Sequence, residues 1–68
     1  MKYTAIIKNE GEWWFGWIEE VPGVNCQEPT YEELIETLKN TLKEAIELNR
    51  EDAIRSAGKN FSEAKITI

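Results

Sequence analysis

The sequence predicts a small α+β domain in which an antiparallel sheet carries one amphipathic helix on one face. Residues 2–8 and 13–20 have the alternating or aromatic character of strands. Residues 31–50 place apolar side chains at helical spacing. Sixty-eight residues are enough for one domain only. We therefore expect a single domain over residues 1–68 with the order β-β-β-α-β.

The strand over residues 13–20 is the centre of the predicted sheet. A turn over residues 9–12, in which Gly11 can take a positive φ, joins it to the first strand. Both of its faces are apolar, which indicates a strand covered on both sides. Gly16 has no side chain and so permits close approach of a helix.

A proline–glycine corner follows the central strand. Pro22 and Gly23 redirect the chain, and residues 24–27 are predicted to be a short third strand. Residues 64–68 alternate between apolar and polar side chains, which predicts a fourth strand in the same sheet.

The predicted helix has a defined start and an ambiguous end. Thr30 supplies the N-cap and Glu33 completes a capping box, so the helix runs from about 31 to 50. Residues 51–57 either extend it or form a separate turn that Gly58 ends. One such helix leaves the other sheet face with exposed aromatic residues, so we expect a homodimer or higher homo-oligomer built on the sheet.

The charge is unevenly distributed along the chain. Thirteen acids and eight bases give a net charge of −5, and residues 1–36 hold eight of the acids but only two bases. Phosphate backbones are held by clustered Lys and Arg, so we expect no direct nucleic-acid binding. A basic protein partner fits better, while the alternative is that the acids only keep a small protein soluble.

Composition also limits the chemistry and the location. The chain has one cysteine and no histidine, so an intrachain disulfide is impossible and a zinc site has no ligand set. An unpaired cysteine suits a reducing cytoplasm. We see neither a signal peptide nor an apolar run of membrane-spanning length, and we expect no cofactor.

No residue set has the pattern of a catalytic site. Cys26 lacks a histidine to activate it, and Glu19 and Glu20 point to opposite faces of a strand. Glu32 and Glu36 share a helix face but lie at an exposed helix start, where a solvated acidic surface is the simpler interpretation. The tryptophans could stack on bases, but their charged neighbours are acidic, which favours core packing and interface anchoring. We expect neither enzymatic activity nor a small-molecule substrate.

Several motifs occur in a characteristic order. The aromatic strand Trp14–Ile18 leads into Glu20-Val21-Pro22-Gly23, Thr30–Leu34 opens the helix, and Lys65–Ile68 is the last strand. In this order they resemble the N-terminal domain of HicB-type antitoxins. The chain departs from that family at Val24, where cysteine is common, and before the helix, where a glycine-polar pair is common.

The resemblance implies a partial ribonuclease-H-like fold and an antitoxin that neutralises a small basic mRNA-cleaving toxin, HicA. Many members add a C-terminal DNA-binding domain, which we do not expect here because the sequence stops at Ile68. Nuclease activity is not expected either, since the first strand has no carboxylate for a metal ion. The alternative is an oligomeric regulatory or structural module without a toxin. The candidate partner-binding residues are Trp14, Trp17, Glu19, Glu20, Pro22, Gly23 and Glu32.

Overall fold

The computed structural model describes residues 2–68, which form three strands and one helix. In chain order these are β1 (Ala5–Glu10), β2 (Trp13–Ile18), β3 (Asn25–Glu28) and α1 (Tyr31–Ala57). The strands make one antiparallel sheet with β2 in the centre, and α1 packs against β2 and β3. The predicted α+β class, with one helix on one face of an antiparallel sheet, is therefore confirmed.

The helix approaches the sheet most closely at Gly16. Ile7, Gly16 and Cys26 are paired across the three strands and so lie on the same face. A Cβ atom at Gly16 would lie 2.8 Å from Leu38 Cδ1 and 3.2 Å from Leu34 Cδ2. The absence of a side chain at this position is what lets α1 lie against β2.

The core lies between this face of the sheet and the first turns of the helix. Among residues 2–68, its buried apolar side chains are Ile18, Val24, Leu34 and Leu38. Leu42 and Ala45 are half-buried against them and are the last helical residues that pack on this core. A core of this size gives a small chain little reserve of stability.

The start of α1 is the one that the capping box predicts, but its end lies further along the chain. Thr30 has extended backbone angles and its Oγ1 accepts a hydrogen bond of 3.1 Å from the Glu33 backbone N–H. The helix continues past Arg50 to Ala57 and ends at Gly58, which has a positive φ of 79°. Of the two possibilities for residues 51–57, the structure shows helical extension. Residues 46–57 thus form a helix overhang that extends past the last core contact.

The predicted fourth strand over residues 64–68 is not formed in the structure. The long helix carries the chain past the sheet, and residues 59–63 turn back along the overhang, where Glu63 forms an ion pair of 3.4 Å with Arg50. The following residues have no strand beside them, so the ladder of hydrogen bonds that defines a strand is missing. Ile66 and Ile68 are left exposed.

The other strand boundaries shift by a few residues. β1 runs to Glu10, beyond the predicted end at residue 8. β2 ends at Ile18, before the predicted end at residue 20. β3 begins at Asn25 and ends at Glu28. The central strand and the proline–glycine corner keep their predicted places.

Filling the space at Gly16 tests this packing. We expect Gly16→Val to lower the free energy of unfolding by about 2 kcal/mol, because the added methyl groups must displace the buried Leu38 and Leu34 side chains. Gln27→Val is a matched control, since Gln27 is exposed on the opposite sheet face, and it should change stability by less than about 0.5 kcal/mol. Urea denaturation measures both variants. Equal stability of the two would contradict the close helix–sheet contact.

Candidate functional site

The sheet face that α1 does not cover carries a line of aromatic side chains on β2. Trp13, Phe15 and Trp17 share this face because side chains alternate along a strand; we call them the aromatic stripe. Trp13 is 44% and Trp17 41% exposed, and Phe15 is half-buried. The expectation that β2 is covered on both sides is therefore wrong for a single chain.

Polar side chains of the neighbouring strands border the stripe. Lys8 is paired with Phe15 across β1 and β2, and Asn25 and Gln27 are paired with Trp17 and Phe15 across β2 and β3. Together they line an open groove of about 430 Å³. The groove has an aromatic floor and hydrogen-bonding groups on both sides, which is the composition of protein-binding surfaces.

Acidic residues lie at both ends of the stripe. Glu10 and Glu12 flank the β1–β2 hairpin, and Glu19 and Glu20 follow β2. Within the face, Lys8 forms an ion pair of 3.0 Å with Glu10, so its charge is already balanced. The stripe is therefore an apolar surface in negative surroundings.

Trp14 lies on the other side of the sheet. It lies on the same sheet face as Gly16 and Ile18, and it is half-buried against the core. Its ring lies 5.5 Å from that of Tyr31, centroid to centroid, with a 36° angle between the planes. Trp14 thus supports the start of the helix and is not part of the aromatic stripe.

The corner residues predicted to bind a partner lie close together and are exposed. Glu19, Glu20, Pro22 and Gly23 all lie in the turn between β2 and β3. The Glu19 backbone N–H donates to the Thr4 carbonyl at 2.9 Å. Trp17, near the same end of β2, extends this corner toward the open face.

Glu20 anchors the corner to the N-terminal segment. The Thr4 backbone N–H donates a hydrogen bond of 2.7 Å to Glu20 Oε1. This hydrogen bond favours the charged carboxylate and holds the pKa of Glu20 below its ordinary value. The contact fixes the position of one acid beside the aromatic stripe.

Glu32 lies apart from the other candidates. It is exposed in the first turn of α1, which follows the end of β3 at Glu28. Because Glu28 pairs with Trp14 near the start of β2, Glu32 is at the opposite end of the sheet from the corner. The seven predicted residues therefore do not form one surface, although Trp17 and the four corner residues share one end of the sheet.

Sequence reasoning missed Trp13 and Phe15 as site residues. The alternation of side chains along the strand could have identified them, since both lie on the same sheet face as Trp17. Gly16 has the other parity and marks the face that the helix contacts, so Trp14 could have been assigned to the helix side.

Cys26 lies on the helix side of β3, where it pairs with Gly16. The Cys26 thiol is half-buried and lies 3.6 Å from the Thr41 hydroxyl as a hydrogen-bond donor. Residues 2–68 hold no group of three or more Cys, Asp or Glu side chains arranged for a metal ion. Over the same residues, α1 lacks an apolar stretch of the length needed to cross a bilayer.

Comparison of the chain with known proteins finds no matching family model, no matching curated protein and no matching solved structure. The resemblance to HicB-type antitoxins therefore rests on the sequence motifs alone.

Because of the hydrogen bond to Glu20, the stability of the fold should depend on pH. A carboxyl whose pKa is lower in the folded state stabilises the fold at neutral pH, and this contribution is lost as the pH falls through the folded-state pKa. Glu20→Gln should therefore unfold more easily than the wild type at pH 7, and the difference should shrink as the pH falls through the acidic range. Chemical denaturation at several pH values measures it.

A second variant separates the hydrogen bond from the charge. Thr4→Pro keeps the Glu20 carboxyl but removes the N–H donor. The pKa of Glu20, followed by NMR titration of its carboxyl carbon, should rise toward the ordinary value in this variant. An unchanged pKa would show that the Thr4 contact is not its cause.

Proposed function

We propose that this chain is an antitoxin-type binding module that neutralises a small basic, mRNA-cleaving toxin of the HicA kind by protein–protein contact in the cytoplasm. The observation that carries the proposal is the aromatic stripe, an open apolar surface with acids at both ends. The likeness to HicB-type antitoxins supplies the class of partner.

The stripe has the properties of an interface anchor. Trp13 and Trp17 keep more than a third of their surface in water, so a partner can still bury a large apolar area on them. Tryptophan is enriched among the residues that contribute most to binding. Both lie on a central strand that is paired on each side, so little conformational entropy is lost when a partner binds.

Charge explains why the partner should be basic. The first 36 residues hold eight acids and two bases, and such a one-signed field speeds encounter with an oppositely charged protein. A toxin that cleaves mRNA needs a cationic surface for phosphates. An acidic protein bound there competes with RNA for the same surface.

Neutralisation of this kind is stoichiometric. The proposal assigns the chain no catalytic step, no metal or cofactor and no direct contact with nucleic acid. The toxin is blocked for as long as the complex lasts, so the dissociation rate decides how well the module works.

A second function is favoured by the helix overhang. Ile46, Leu48 and Ile54 are exposed there, beyond the last residue that packs on the core. Such a surface suits a module whose role is to assemble with copies of itself, without a toxin. Inhibition of RNA cleavage by the chain distinguishes the two functions, since only the antitoxin has this activity.

Replacing one ring of the stripe tests the proposal. The partner to use is a small basic RNA-cleaving toxin of the HicA kind, and the readout is inhibition of its RNA cleavage together with binding kinetics. Trp17→Ala should weaken the complex by about 2 kcal/mol, a roughly 30-fold increase in Kd, mainly through faster dissociation. For the wild type, the association rate should fall as salt is added.

Tyr31→Ala is the matched control. Tyr31 is as exposed as Trp17, at 41%, but lies against Trp14 on the helix side. It should leave the affinity within about threefold of the wild type, and circular dichroism checks that both variants fold. If Trp17→Ala inhibits as well as the wild type, or if Tyr31→Ala weakens binding equally, the stripe is not the toxin-binding surface. If the wild type fails to inhibit, the antitoxin function is refuted.

A further inference from the structure

The outer edge of β1 has backbone groups that no other part of residues 2–68 pairs with as a strand. The Thr4 carbonyl accepts from the Glu19 N–H, and hydrogen-bonded pairs alternate along an antiparallel ladder. Every second residue from Thr4 onward therefore bonds to β2. Ala5, Ile7 and Asn9 direct their N–H and C=O groups away from the sheet, and an edge of this kind readily accepts another strand.

The chain also carries a strand-forming segment without a strand partner. Residues 64–68 alternate, and three of the five are β-branched, which favours extended structure. They lie outside the sheet of their own chain, with Ile66 87% exposed and Ile68 fully exposed. An open edge and an unpaired strand segment are thus present in the same molecule.

The open β1 edge and residues 64–68 can place their apolar side chains on the same face of the sheet. Ala5 and Ile7 are half-buried on the helix side of the sheet, while α1 contacts mainly β2 and β3. A strand added beside β1 would extend this apolar row if Ile66 and Ile68 pointed to the same side. Shifting the register by one residue would turn both isoleucines to the opposite face, so the alternation selects one arrangement.

The shape of the chain indicates where the strand partner comes from. The radius of gyration is 15.3 Å and the longest dimension 52 Å, whereas a compact chain of this length has a radius of about 11 Å. The excess comes from the helix overhang, residues 46–57, with Ile46 and Leu48 exposed upon it. Residues 64–68 follow Glu63, which lies beside Arg50 on this overhang, and they do not pair with their own sheet.

Pairing with a second copy would fill the open β1 edge and would give residues 64–68 a strand partner. The Arg50–Glu63 ion pair joins residues 59–63 to the overhang, and Phe61 lines the same open pocket as Ile54. A sheet that receives residues 64–68 from another chain therefore lies next to the overhang of that chain. Reciprocal exchange gives a closed two-fold dimer, in which each copy supplies and receives one strand.

We propose that residues 64–68 form the fourth strand of the sheet on the β1 edge of a second copy of this chain. The sheet then has four strands, of which the last comes from the partner. The proposal does not depend on the toxin or on the aromatic stripe, which lies on β2 and remains open.

Self-association is the first test. Sedimentation equilibrium at micromolar concentration should give twice the chain mass of 7.9 kDa. Ile66→Pro removes a ladder donor and should weaken self-association at least about tenfold, while Ile66→Val, which keeps the β-branched side chain, should leave it unchanged. A wild type with the mass of one chain, or an Ile66→Pro variant that dimerises as tightly as the wild type, would overturn the proposal.

Isotope-filtered NMR on the unmodified sequence is the second test, and it does not depend on how the proline variant folds. Labelled and unlabelled chains are unfolded, mixed and refolded together. Contacts between the Ile66 or Ile68 methyl groups of one chain and the Ala5, Ile7 or Asn9 amides of the other are expected. Contacts found only within one chain would show closure onto its own sheet and refute the exchange, as would the absence of contacts to β1.

Discussion

A sheet has two faces, and a chain of this size has one helix with which to cover them. The helix takes the face on which Gly16 leaves room, and Leu34 and Leu38 fill that space. The core is built entirely on this side. The opposite face carries Trp13, Phe15 and Trp17, whose large apolar side chains are stabilised when they are removed from water. The candidate site thus follows from the same contact that makes the fold.

The length of the helix imposes the second constraint. A helix of 27 residues is about 40 Å long, which is longer than the sheet against which it packs. Its last turns extend past the core and are contacted by residues 59–63, while residues 64–68 lie outside the sheet. The open sheet face and the overhang lie in different parts of the molecule, so the proposed toxin and the proposed second copy need not compete for one surface.

Local chemistry made part of the fold predictable. The Thr30 cap, the Gly16 contact and the proline–glycine corner each depend on a few neighbouring residues, and the structure contains all three. The end of the helix was harder, because four of residues 51–57 are polar and no glycine or proline stops the helix before Gly58. The pattern of residues 64–68 predicts strand propensity, but a strand also needs a partner, and propensity does not say which chain provides it.

The candidate site was predictable only in part for a similar reason. Trp17 and the corner residues could be chosen from their types, yet which tryptophans face the helix depends on where the helix packs. Gly16 marks the face that the helix contacts. Because side chains alternate along β2, Trp14 lies on that face and Trp13 lies on the open face. Glu32 was grouped with the corner by charge, whereas the antiparallel path of β3 separates the two.

The indole N–H signals of the three tryptophans test the central claim most directly. Each signal can be assigned with a Trp→Phe variant and followed in ¹⁵N spectra while the basic toxin is added. If the open face is the binding surface, the Trp13 and Trp17 signals shift or broaden until the toxin is stoichiometric, and the Trp14 signal stays in place. A complex that perturbs Trp14 alone, or that leaves Trp13 and Trp17 unchanged, would contradict the account.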